Sequence, residues 1–485
     1  MKDIWMIFLS IFAAGVVSLL LELSLLREFT YIFGSTAASN ALIISVFLVG
    51  LAGGAYLGTW GVFAVKDETD ARRKFALIQL VNIIFVVVFC LSKKYFVYHC
   101  PHPNPVRLYF LASVLAPSLL AGIGYAVSVK IMHWRGEKFI TYIYAFSTLG
   151  SVIGGLAHGI VLVPVWGMGS TYISAIIFAT LALYFMYSLM SPVCKGFVAV
   201  LAGVAICLIH FNVAEVLFPS QDILFSKDSE FGIVEVWRLD NEKATYLNRQ
   251  IGGKDSDLIA DAAHLELEVN NIHQSFDFPA DRRIHEQWAD TSLQIIDRPA
   301  TVLMFGYGSG VSAASYLESP LVTRMDIIEN CGPVIEAARK FFPEEYDRVA
   351  KDPRAHFVVD DFRGYVRFAT QRYDIVALDH TLQDPYAIGF FTTEFFQQLK
   401  RIMKPDGVVL LLGDGLSWNT TKRCFRYAYK NINPQTEHAL RLNLFFLTDQ
   451  PIRSSAAGDY ALVPDGLTPG GLIYSDEKVF LLSRQ

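Results

Sequence analysis

The sequence predicts a multi-span α-helical membrane domain followed by an α/β domain built on a parallel sheet. The 485 residues are 53% hydrophobic, only 18% are charged, and the mean hydropathy is +0.36. Long apolar runs are concentrated before about Phe218, whereas the remainder has the mixed composition of a globular protein. Within that remainder, short apolar runs alternate with helical segments, a pattern typical of α/β folds.

Charge and cysteine content exclude two classes of function. The net charge is −5, and the sequence shows no basic stripe of the kind that a nucleic-acid backbone requires, so we expect no nucleic acid as partner. The six cysteines are scattered and none forms a CxxC pair. We therefore predict neither a metal site nor a disulfide framework, and we interpret the cysteines as small buried hydrophobes.

Apolar runs of about 18 or more residues in the segment 1–218 predict about seven membrane-spanning helices. They cover residues 4–26, 41–65, 75–92, 108–132, 140–165, 172–189 and 196–213. The first run is long and is not followed by a small-residue cleavage site, which favours an anchor over a removed signal peptide. The lipid bilayer is therefore an expected partner, and the inner (plasma) membrane the expected location.

Two features of the membrane domain have both a structural and a functional interpretation. The stretches GLAGGAYLG (50–58) and GSVIGG (150–155) carry small residues at the spacing of helix contacts, and a substrate-lined cavity is the alternative. Glu22 lies inside the first apolar run, where an ionisable residue is a candidate functional group. Alternatively, Glu22 reaches the interface or pairs with Arg27. We interpret His158 as a core histidine.

Residues 219–290 are predicted to form a β-hairpin and linker region. EFGIVEVWR (230–238) alternates like a strand, and ATYL (244–247) favours a second strand after a turn. The polar stretch 252–283 predicts a long irregular loop. His285 and Glu286 stand at the start of a predicted helix, where they either face the ligand site or form a solvated helix start.

Residues 291–485 are predicted to form a nucleotide-binding domain around Gly306, Gly308 and Gly310. An apolar strand precedes these glycines, a helix follows them, and a second strand ends at Glu329. Glycines let the backbone approach a ligand closely, and an acid about twenty residues further on can accept hydrogen bonds from ribose hydroxyls. A tight turn without a ligand is the alternative.

Acids follow two further predicted strands. The strand 355–359 ends at Asp360 and Asp361, one of which could accept a hydrogen bond from an adenine amino group while the other caps the next helix. The strand 373–378 is followed by Asp379 and then Asp384. The chain has no GxxxxGK[ST] loop, which argues against a nucleotide triphosphate as ligand, and the acidic rim favours cationic ligands.

The remaining segments complete the predicted sheet. Residues 392–403 predict a helix, and residues 408–412 predict a fifth strand. The segments 442–448 and 479–482 are expected to form an antiparallel edge.

At these residues the chain resembles the spermidine synthase family, the polyamine aminopropyltransferases, in the subset that is fused to a multi-span membrane domain. The resemblance extends over about 230–413. GYGSG matches the Gly-rich motif of the family, and IIEN, DPRAHFVVDD and YDIVALD place Glu329, Asp361 and Asp379 at its ribose-binding, adenine-side and catalytic acids. Asp384 and Pro385 resemble the Asp-Pro that follows, and IHE resembles the family's Tyr-His-Glu.

The resemblance implies a Rossmann-like, class I S-adenosylmethionine-type fold and transfer of an aminopropyl group from decarboxylated S-adenosylmethionine to a small amine such as putrescine. Asp379 would orient and deprotonate the amine. The implied cofactor-binding residues are Gly306, Gly308, Ser309, Gly310, Glu329, Asp360 and Asp361. The implied amine-binding residues are His285, Glu286, Asp384 and Tyr386. No metal is expected, and a homodimer is left open.

Two positions depart from the family pattern. Ser309 stands where the family has an Asp that holds the aminopropyl amine, and Ile284 stands where it has a Tyr. Without the anion, the site would tolerate the carboxylate of intact S-adenosylmethionine. Two alternatives therefore remain: an S-adenosylmethionine-dependent methyltransferase acting on a membrane-associated substrate, and a transporter or sensor whose α/β domain only binds a polyamine or nucleoside.

The distribution of basic residues conflicts with the expected supply of an adenosyl cofactor. With seven spans, one side collects eight basic residues and the other side four: Lys2, Lys66, Arg72, Arg73, Lys74, Arg135, Lys138 and Lys195 against Arg27, Lys93, Lys94 and Arg107. This bias places the amino terminus in the cytoplasm and the α/β domain outside. Adenosyl cofactors are made in the cytoplasm, so either the span count differs by one, or the charge bias is misleading, or the α/β domain faces outward and binds a different ligand. We expect a cytoplasmic α/β domain.

Overall fold

The computed structural model divides into two compact units, Met1–Gln221 and Asp222–Gln485. It describes residues 2–33, 37–100, 103–136, 139–186, 192–217, 222–229, 231–251, 253–254, 258, 264–270, 272–378, 392–413, 418–431, 443–451 and 460–462.

The first unit is helical. Its helices are α1 (Lys2–Phe33), α2 (Ala37–Leu57), α3 (Glu68–Lys94), α4 (Pro103–Arg135), α5 (Ile140–Ala157), α6 (Val163–Trp166), α7 (Met168–Met186), α8 (Pro192–His210) and α9 (Val213–Leu217). A π-helical turn, His158–Leu162, joins α5 to α6. The described residues contain six stretches long and apolar enough to cross a membrane: Asp3–Thr30, Asn40–Leu57, Glu68–Val97, Asn104–Arg135, Ile140–Trp166 and Met168–Met186. The seventh predicted span coincides with α8, whose described apolar stretch, Gly196–His210, is shorter.

The two small-residue stretches lie where helix backbones touch. A Cβ atom added to Gly54 of α2 would come within 2.1 Å of the Leu119 carbonyl oxygen on α4. A Cβ atom added to Gly150 of α5 would come equally close, 2.1 Å, to the Phe12 carbonyl oxygen on α1. Only glycine permits this separation, so Gly54 and Gly150 have the packing role that the spacing predicts. Other residues of the two stretches, Leu51, Ala52, Ala55 and Ser151, line a cavity between the helices.

The second unit begins with a four-stranded antiparallel sheet in the order β1-β2-β3-β4. Its strands are β1 (Ile223–Asp228), β2 (Ile233–Leu239), β3 (His264–Val269) and β4 (Ile272–Phe276), and α10 (Asn241–Gln250) connects β2 towards β3. The partner of β2 is thus not the stretch 244–247, which lies inside α10. Two strands also occupy part of the stretch for which an irregular loop was predicted.

Local capping and packing explain the helix at 244–247. The Asp240 side chain accepts a hydrogen bond from the Lys243 backbone N–H at 2.7 Å, which satisfies a free donor of the first turn. Ala244 and Asn248, one turn apart, are both fully buried. The helical period therefore matches the buried face, and this outweighs the preference of Thr245 and Tyr246 for strands.

An eight-stranded sheet forms the centre of the second unit, in the order β12-β10-β11-β9-β8-β5-β6-β7. The strands are β5 (Ala300–Phe305), β6 (Val322–Glu329), β7 (Ala355–Val359), β8 (Tyr373–Leu378), β9 (Met403–Gly413), β10 (Tyr427–Asn431), β11 (Asn443–Thr448) and β12 (Tyr460–Leu462). The neighbours from β9 to β7 are parallel, and the pairs that join β9, β11, β10 and β12 are antiparallel. The antiparallel edge predicted at 442–448 is therefore present as β11, and 479–482 lies outside the described residues.

Helices cover both faces of this sheet. They are α11 (Pro279–Ile296), α12 (Val311–Glu318), α13 (Gly332–Phe341), α14 (Pro343–Ala350), α15 (Phe362–Phe368), α16 (Thr393–Arg401) and α17 (Trp418–Cys424). In β5, Val302 and Met304 belong to a core that includes α11 and α12, whereas Leu303 and Phe305 belong to a core that includes α15 and α16. Burial of both faces explains the continuous apolar run of this strand.

The strand order positions the ligand site. The chain runs from β5 outwards through β6 to β7 and then returns to the other side of β5 as β8. In open α/β sheets, ligands bind at such a switch point, outside the carboxyl ends of the strands. The Gly-rich turn that follows Phe305 lies at this edge.

Candidate active site

The Gly-rich turn depends on backbone angles that favour glycine. Gly306, Gly308 and Gly310 have φ angles of +88°, +55° and +91°. At Gly310, a Cβ atom would also lie 2.6 Å from the Tyr307 hydroxyl oxygen. Helix α12 begins directly after Gly310 and receives no side-chain cap from the described residues. Its first N–H groups can therefore donate to a ligand at the turn.

Glu329 is fixed beside this turn. It ends β6 and is 4% exposed. The Tyr307 backbone N–H donates to one carboxylate oxygen at 2.9 Å, and the Cys331 backbone N–H donates to the other at 2.8 Å. These two donors orient the carboxylate, and a carboxylate has about four acceptor sites in all, the chemistry that binding of hydroxyl groups requires.

Ser309 belongs to a buried polar chain that joins the turn to the antiparallel sheet and α11. Its hydroxyl lies 2.7 Å from the Ser275 hydroxyl, which donates to Asp281 at 3.0 Å. The Phe276 backbone N–H also donates to Asp281, at 2.9 Å. Two hydrogen bonds, with Ser275 in the middle, therefore connect the Ser309 hydroxyl to the buried Asp281 carboxylate.

His285 is buried inside α11 and is not at a solvated helix start. The helix begins at Pro279, earlier than predicted, because the proline lies in its first turn, where its missing N–H costs nothing. The Nδ1 atom of His285 lies 2.6 Å from the Ser312 hydroxyl, and its Nε2 atom lies 3.7 Å from Asp281. Its ring therefore connects α11 to the first turn of α12.

A cavity of about 60 Å³ lies over the turn. Its lining includes the predicted residues Gly306, Gly308, Ser309, His285 and Glu329, and neither Gly310 nor the half-buried Glu286 is among the lining residues. The volume is far below the several hundred Å³ of typical small-molecule sites. A ligand of adenosyl size would therefore extend beyond this cavity along the sheet edge.

Sequence reasoning missed the contribution of the antiparallel sheet to this cavity. Asn270, Gln274 and Ser275, which follow or belong to strands β3 and β4, line it. The alternating apolar residues of HLELEV, followed by two asparagines, would have been the signal for this hairpin.

Tyr307 places a phenol beside the turn. Its side chain lines the cavity and is 2% exposed, and burial raises the pKa of its hydroxyl above the usual value. Within the described residues, that hydroxyl oxygen has no hydrogen-bond partner.

The two acids after β7 have different surroundings. The Asp361 carboxylate caps α15 by accepting a hydrogen bond from the Gly364 backbone N–H at 2.8 Å. Asp360 is exposed, and among the described residues its carboxylate accepts only the neighbouring Asp361 backbone N–H, at 2.8 Å. Of the two, Asp360 has the carboxylate more accessible to a ligand, although neither residue lines the cavity.

The remaining predicted site residues, Asp379, Asp384 and Tyr386, lie outside the described residues. Strand β8 ends at Leu378, which pairs with Phe305 of β5. The described part of the chain contains no group of three or more His, Cys, Asp or Glu residues that could hold a metal ion.

A known protein family matches the segment that contains most of this site. A family model described as "Spermine/spermidine synthase domain" matches residues 282–441. This segment belongs to the spermine/spermidine synthase family. The matched segment contains the Gly-rich turn, Glu329, Asp360 and Asp361.

Individual curated proteins also match part of this chain. The polyamine aminopropyltransferase of Korarchaeum cryptofilum is 31% identical over 146 residues, which are 29% of this chain and 44% of the relative. That of Pyrobaculum aerophilum is 32% identical over 133 residues, which are 26% and 45% of the two chains. The chain thus spans less than half the length of these curated relatives. A solved spermidine synthase from Thermotoga maritima is 20% identical, with a TM-score of 0.39, over 54% of this chain and 84% of its own.

Proposed function

We propose that this protein is a membrane-anchored polyamine aminopropyltransferase. It would transfer the aminopropyl group of decarboxylated S-adenosylmethionine to a small amine acceptor. Membership of the 282–441 segment in the spermine/spermidine synthase family supports the reaction class. The single observation that carries the proposal is the Glu329 carboxylate, held by two backbone N–H groups beside the Gly-rich turn at the switch point of the sheet.

The proposal gives binding roles to Glu329, to the Gly-rich turn and to Asp360. Glu329 accepts the two ribose hydroxyls, and the turn Gly306–Gly310 approaches the adenosyl group with backbone alone. Asp360 accepts the adenine amino group, because Asp361 is engaged as the cap of α15. The assignment of the adenine-side acid thus moves by one residue from the position that the family resemblance indicates.

Asp379 is the proposed catalytic residue. In the sequence it directly follows Leu378, the last residue of β8, and β8 pairs in parallel with β5, the strand that precedes the Gly-rich turn. Its carboxylate would orient the acceptor amine and take the proton that the amine loses. The neutral nitrogen then attacks the aminopropyl carbon bonded to sulfur, the C–S bond breaks, and methylthioadenosine leaves with the electron pair. His285, Glu286, Asp384 and Tyr386 are proposed to line the path of the amine.

Ser309 supports a second candidate, a methyltransferase that uses intact S-adenosylmethionine on a membrane-associated substrate. The Ser309 hydroxyl contacts the Ser275 hydroxyl. The carboxylate nearest to it in this hydrogen-bond network is Asp281, which already accepts hydrogen bonds from the Ser275 hydroxyl and the Phe276 backbone N–H. The turn itself carries no anion that would repel the carboxylate of the intact cofactor.

One experiment separates the two candidates. The full chain, purified in detergent, is incubated with putrescine and either decarboxylated or intact S-adenosylmethionine, and methylthioadenosine and spermidine are quantified by mass spectrometry. The transferase predicts both products from the decarboxylated cofactor alone, and their loss in D379N with cofactor affinity unchanged by calorimetry. Tighter binding of the intact cofactor, without methylthioadenosine, would instead support the methyltransferase.

We also propose that the helical unit spans the inner membrane and that the α/β domain faces the cytoplasm. Six described helical stretches are apolar and long enough to cross. An even number of crossings returns the chain to its starting side, which reconciles the excess of basic residues near the amino terminus with a cytoplasmic cofactor. A fluorescent protein fused after Gln485 would fold only in the cytoplasm. An alkaline phosphatase fusion active at the same position would contradict this orientation.

A further inference from the structure

A cavity of about 640 Å³ lies within the helical unit, among α1, α2, α3, α4 and α5. This volume is in the range of small-molecule sites. Most of its lining is apolar, but the lining residues also include Glu22, Gln79 and Asn82. No lysine, arginine or histidine is among the described residues that line it.

Glu22 is an acid without an ion-pair partner among the described residues, and it lies inside a helical stretch long and apolar enough to cross a membrane. It lies within the stretch Asp3–Thr30, and the structure gives it no salt bridge with Arg27 or with any other described residue. The next acid of the same helix, Glu28, is by contrast paired with Lys93 at 2.5 Å and accepts a hydrogen bond from Tyr172 at 3.1 Å. An ionisable side chain at this depth that lines a cavity indicates a ligand site.

Two buried amides on α3 supply further acceptors. Gln79 and Asn82 are 3% and 6% exposed, and their side-chain carbonyl oxygens have no hydrogen-bond partner among the described residues. Because they are three residues apart in a helix, they lie on the same face. Buried acceptors without a donor are rare in folded proteins, so a partner with N–H groups is to be expected.

The walls of the cavity are held by close helix contacts. A Cβ atom added to Gly15 of α1 would lie 2.2 Å from the Ser147 carbonyl oxygen of α5. A Cβ atom added to Gly122 of α4 would lie 2.2 Å from the Leu51 carbonyl oxygen of α2. The backbones therefore already touch on two sides of the cavity, which fixes the spacing of its walls.

We propose that this cavity binds a protonated aliphatic amine. Its ammonium group pairs with Glu22 and donates to the amide oxygens of Gln79 and Asn82, and its hydrocarbon chain lies along the apolar lining. A carboxylate attracts a cation strongly where the dielectric is low, and neither an anion nor a purely apolar ligand would use these three acceptors. The site is separate from the proposed transferase site and does not depend on that reaction.

The test measures binding of n-hexylamine and of n-hexanol to the full chain in lipid nanodiscs. The two probes share a hydrocarbon chain, and only the amine carries a charge. The background variant D384N removes one predicted amine contact of the α/β domain, and the substitutions in the helical unit described next show which part of the remaining binding belongs to the helical unit. We expect saturable binding of hexylamine and at least tenfold weaker binding of hexanol.

Two substitutions then locate the site. E22Q keeps the side-chain volume and should weaken hexylamine binding at least tenfold, while the thermal unfolding midpoint and methylthioadenosine affinity stay unchanged. A121F keeps Glu22 but fills the cavity, and it should abolish binding of both probes. Equal hexylamine binding by E22Q and the background variant, or equal binding of hexylamine and hexanol, would overturn the proposal. Neither outcome bears on the transferase assay.

Discussion

At the residue scale, backbone groups of the candidate site hold the side chain that we propose binds the ribose. Glu329 shows this most directly, because both of its carboxylate oxygens accept backbone N–H groups from turns on either side. A carboxylate oriented in this way loses little conformational freedom on binding, so more of the interaction energy appears as affinity.

Replacement of Glu329 by glutamine should weaken methylthioadenosine binding about 10- to 100-fold, since one oxygen becomes an amide N–H that faces a backbone donor. Calorimetry on the full chain measures the effect. E318Q is the matched control, because the Glu318 side chain is 62% exposed and, within the described part of the chain, pairs only with Arg348. Equal affinity of E329Q and wild type would show that Glu329 does not bind the ribose.

An alanine at Gly310 should disrupt the turn. The φ angle of +91° strains a side chain, and the new Cβ atom would meet the Tyr307 hydroxyl at 2.6 Å. We expect a loss of about 1–3 kcal/mol in unfolding free energy and weaker methylthioadenosine binding. Gly332 is the control: its nearest contact is Val359 at 4.0 Å, so G332A should stay within about 0.5 kcal/mol of wild type. Unfolding in detergent compares the two, and equal stability would contradict the strain argument.

Replacement of Ser309 by aspartate should increase the preference for decarboxylated over intact S-adenosylmethionine. The new carboxylate would repel the carboxylate of intact S-adenosylmethionine and attract the free amine of the decarboxylated form. We expect S309D to raise the affinity ratio in favour of the decarboxylated cofactor at least tenfold, which parallel calorimetric titrations would measure. S319D changes a half-buried residue that follows α12 and does not line the cavity, so it should leave the ratio unchanged. If S309D also left the affinity ratio unchanged, position 309 would not contact this part of the cofactor.

At the element scale, the sheet is held at its opposite end by a buried acid at the start of β8. Asp374 is fully buried and accepts hydrogen bonds from Lys404 at 2.6 Å, from Arg298 at 2.5 Å and from the Thr301 backbone at 2.8 Å. Burial acts to raise the pKa of Asp374, but these donors outweigh it and hold the pKa below its usual value. Strands β5, β8 and β9 therefore share one charged junction.

Removal of this junction should destabilise the α/β domain. D374A leaves two cations beside a buried site without their acceptor, and we expect a loss of about 3 kcal/mol in unfolding free energy. The control D406A removes a 57% exposed acid from the same Arg298, and it should cost less than about 1 kcal/mol. Chemical denaturation in detergent measures both. Similar losses in the two variants would mean that the buried acid adds nothing beyond a surface pair.

The lowered pKa of Asp374 also predicts a pH dependence. A group whose pKa is depressed by folding stabilises the protein above its unfolded pKa, and this contribution is lost as the pH falls through the folded pKa. The stability difference between wild type and D374N should therefore be constant from pH 5 to 8 and shrink below about pH 4. Denaturation at a series of pH values tests this, and a difference that persists at low pH would contradict it.

At the scale of the whole molecule, the chain combines two separately packed units. The cores of the helical unit and of the α/β unit share no residue. Every described residue that lines the cavity over the Gly-rich turn belongs to the segment 222–485. Cofactor binding should therefore be a property of the second unit alone.

Expression of residues 222–485 without the helical unit should give a soluble protein that binds methylthioadenosine within threefold of the full chain. Its sheet, both covering layers and the antiparallel hairpin sheet are all retained. Calorimetry beside a size-exclusion profile measures affinity and folding together, with E329Q in the same segment as the non-binding control. Aggregation of the segment would show that the helical unit is needed for folding.

The sequence by itself determined the features that depend on short stretches of consecutive residues. Long apolar runs specified membrane-compatible helices, because a helix must bury its length in lipid or protein. The glycines at 306, 308 and 310 specified a turn between a strand and a helix, and Glu329 followed from the length of the next strand. Each of these signals lies within about thirty consecutive residues, so backbone geometry and periodicity suffice to interpret it.

Only the tertiary structure decided which distant residues meet. The contact of Ser309 with Ser275 and Asp281, and the shared cavity of Glu22 with Gln79 and Asn82, join segments far apart in the sequence. Packing also decided local cases in which propensity misled, as in α10, where a buried helical face prevailed over strand-favouring side chains. The physical reason is that burial and hydrogen-bond partners depend on register and helix contacts, which no single stretch of chain encodes.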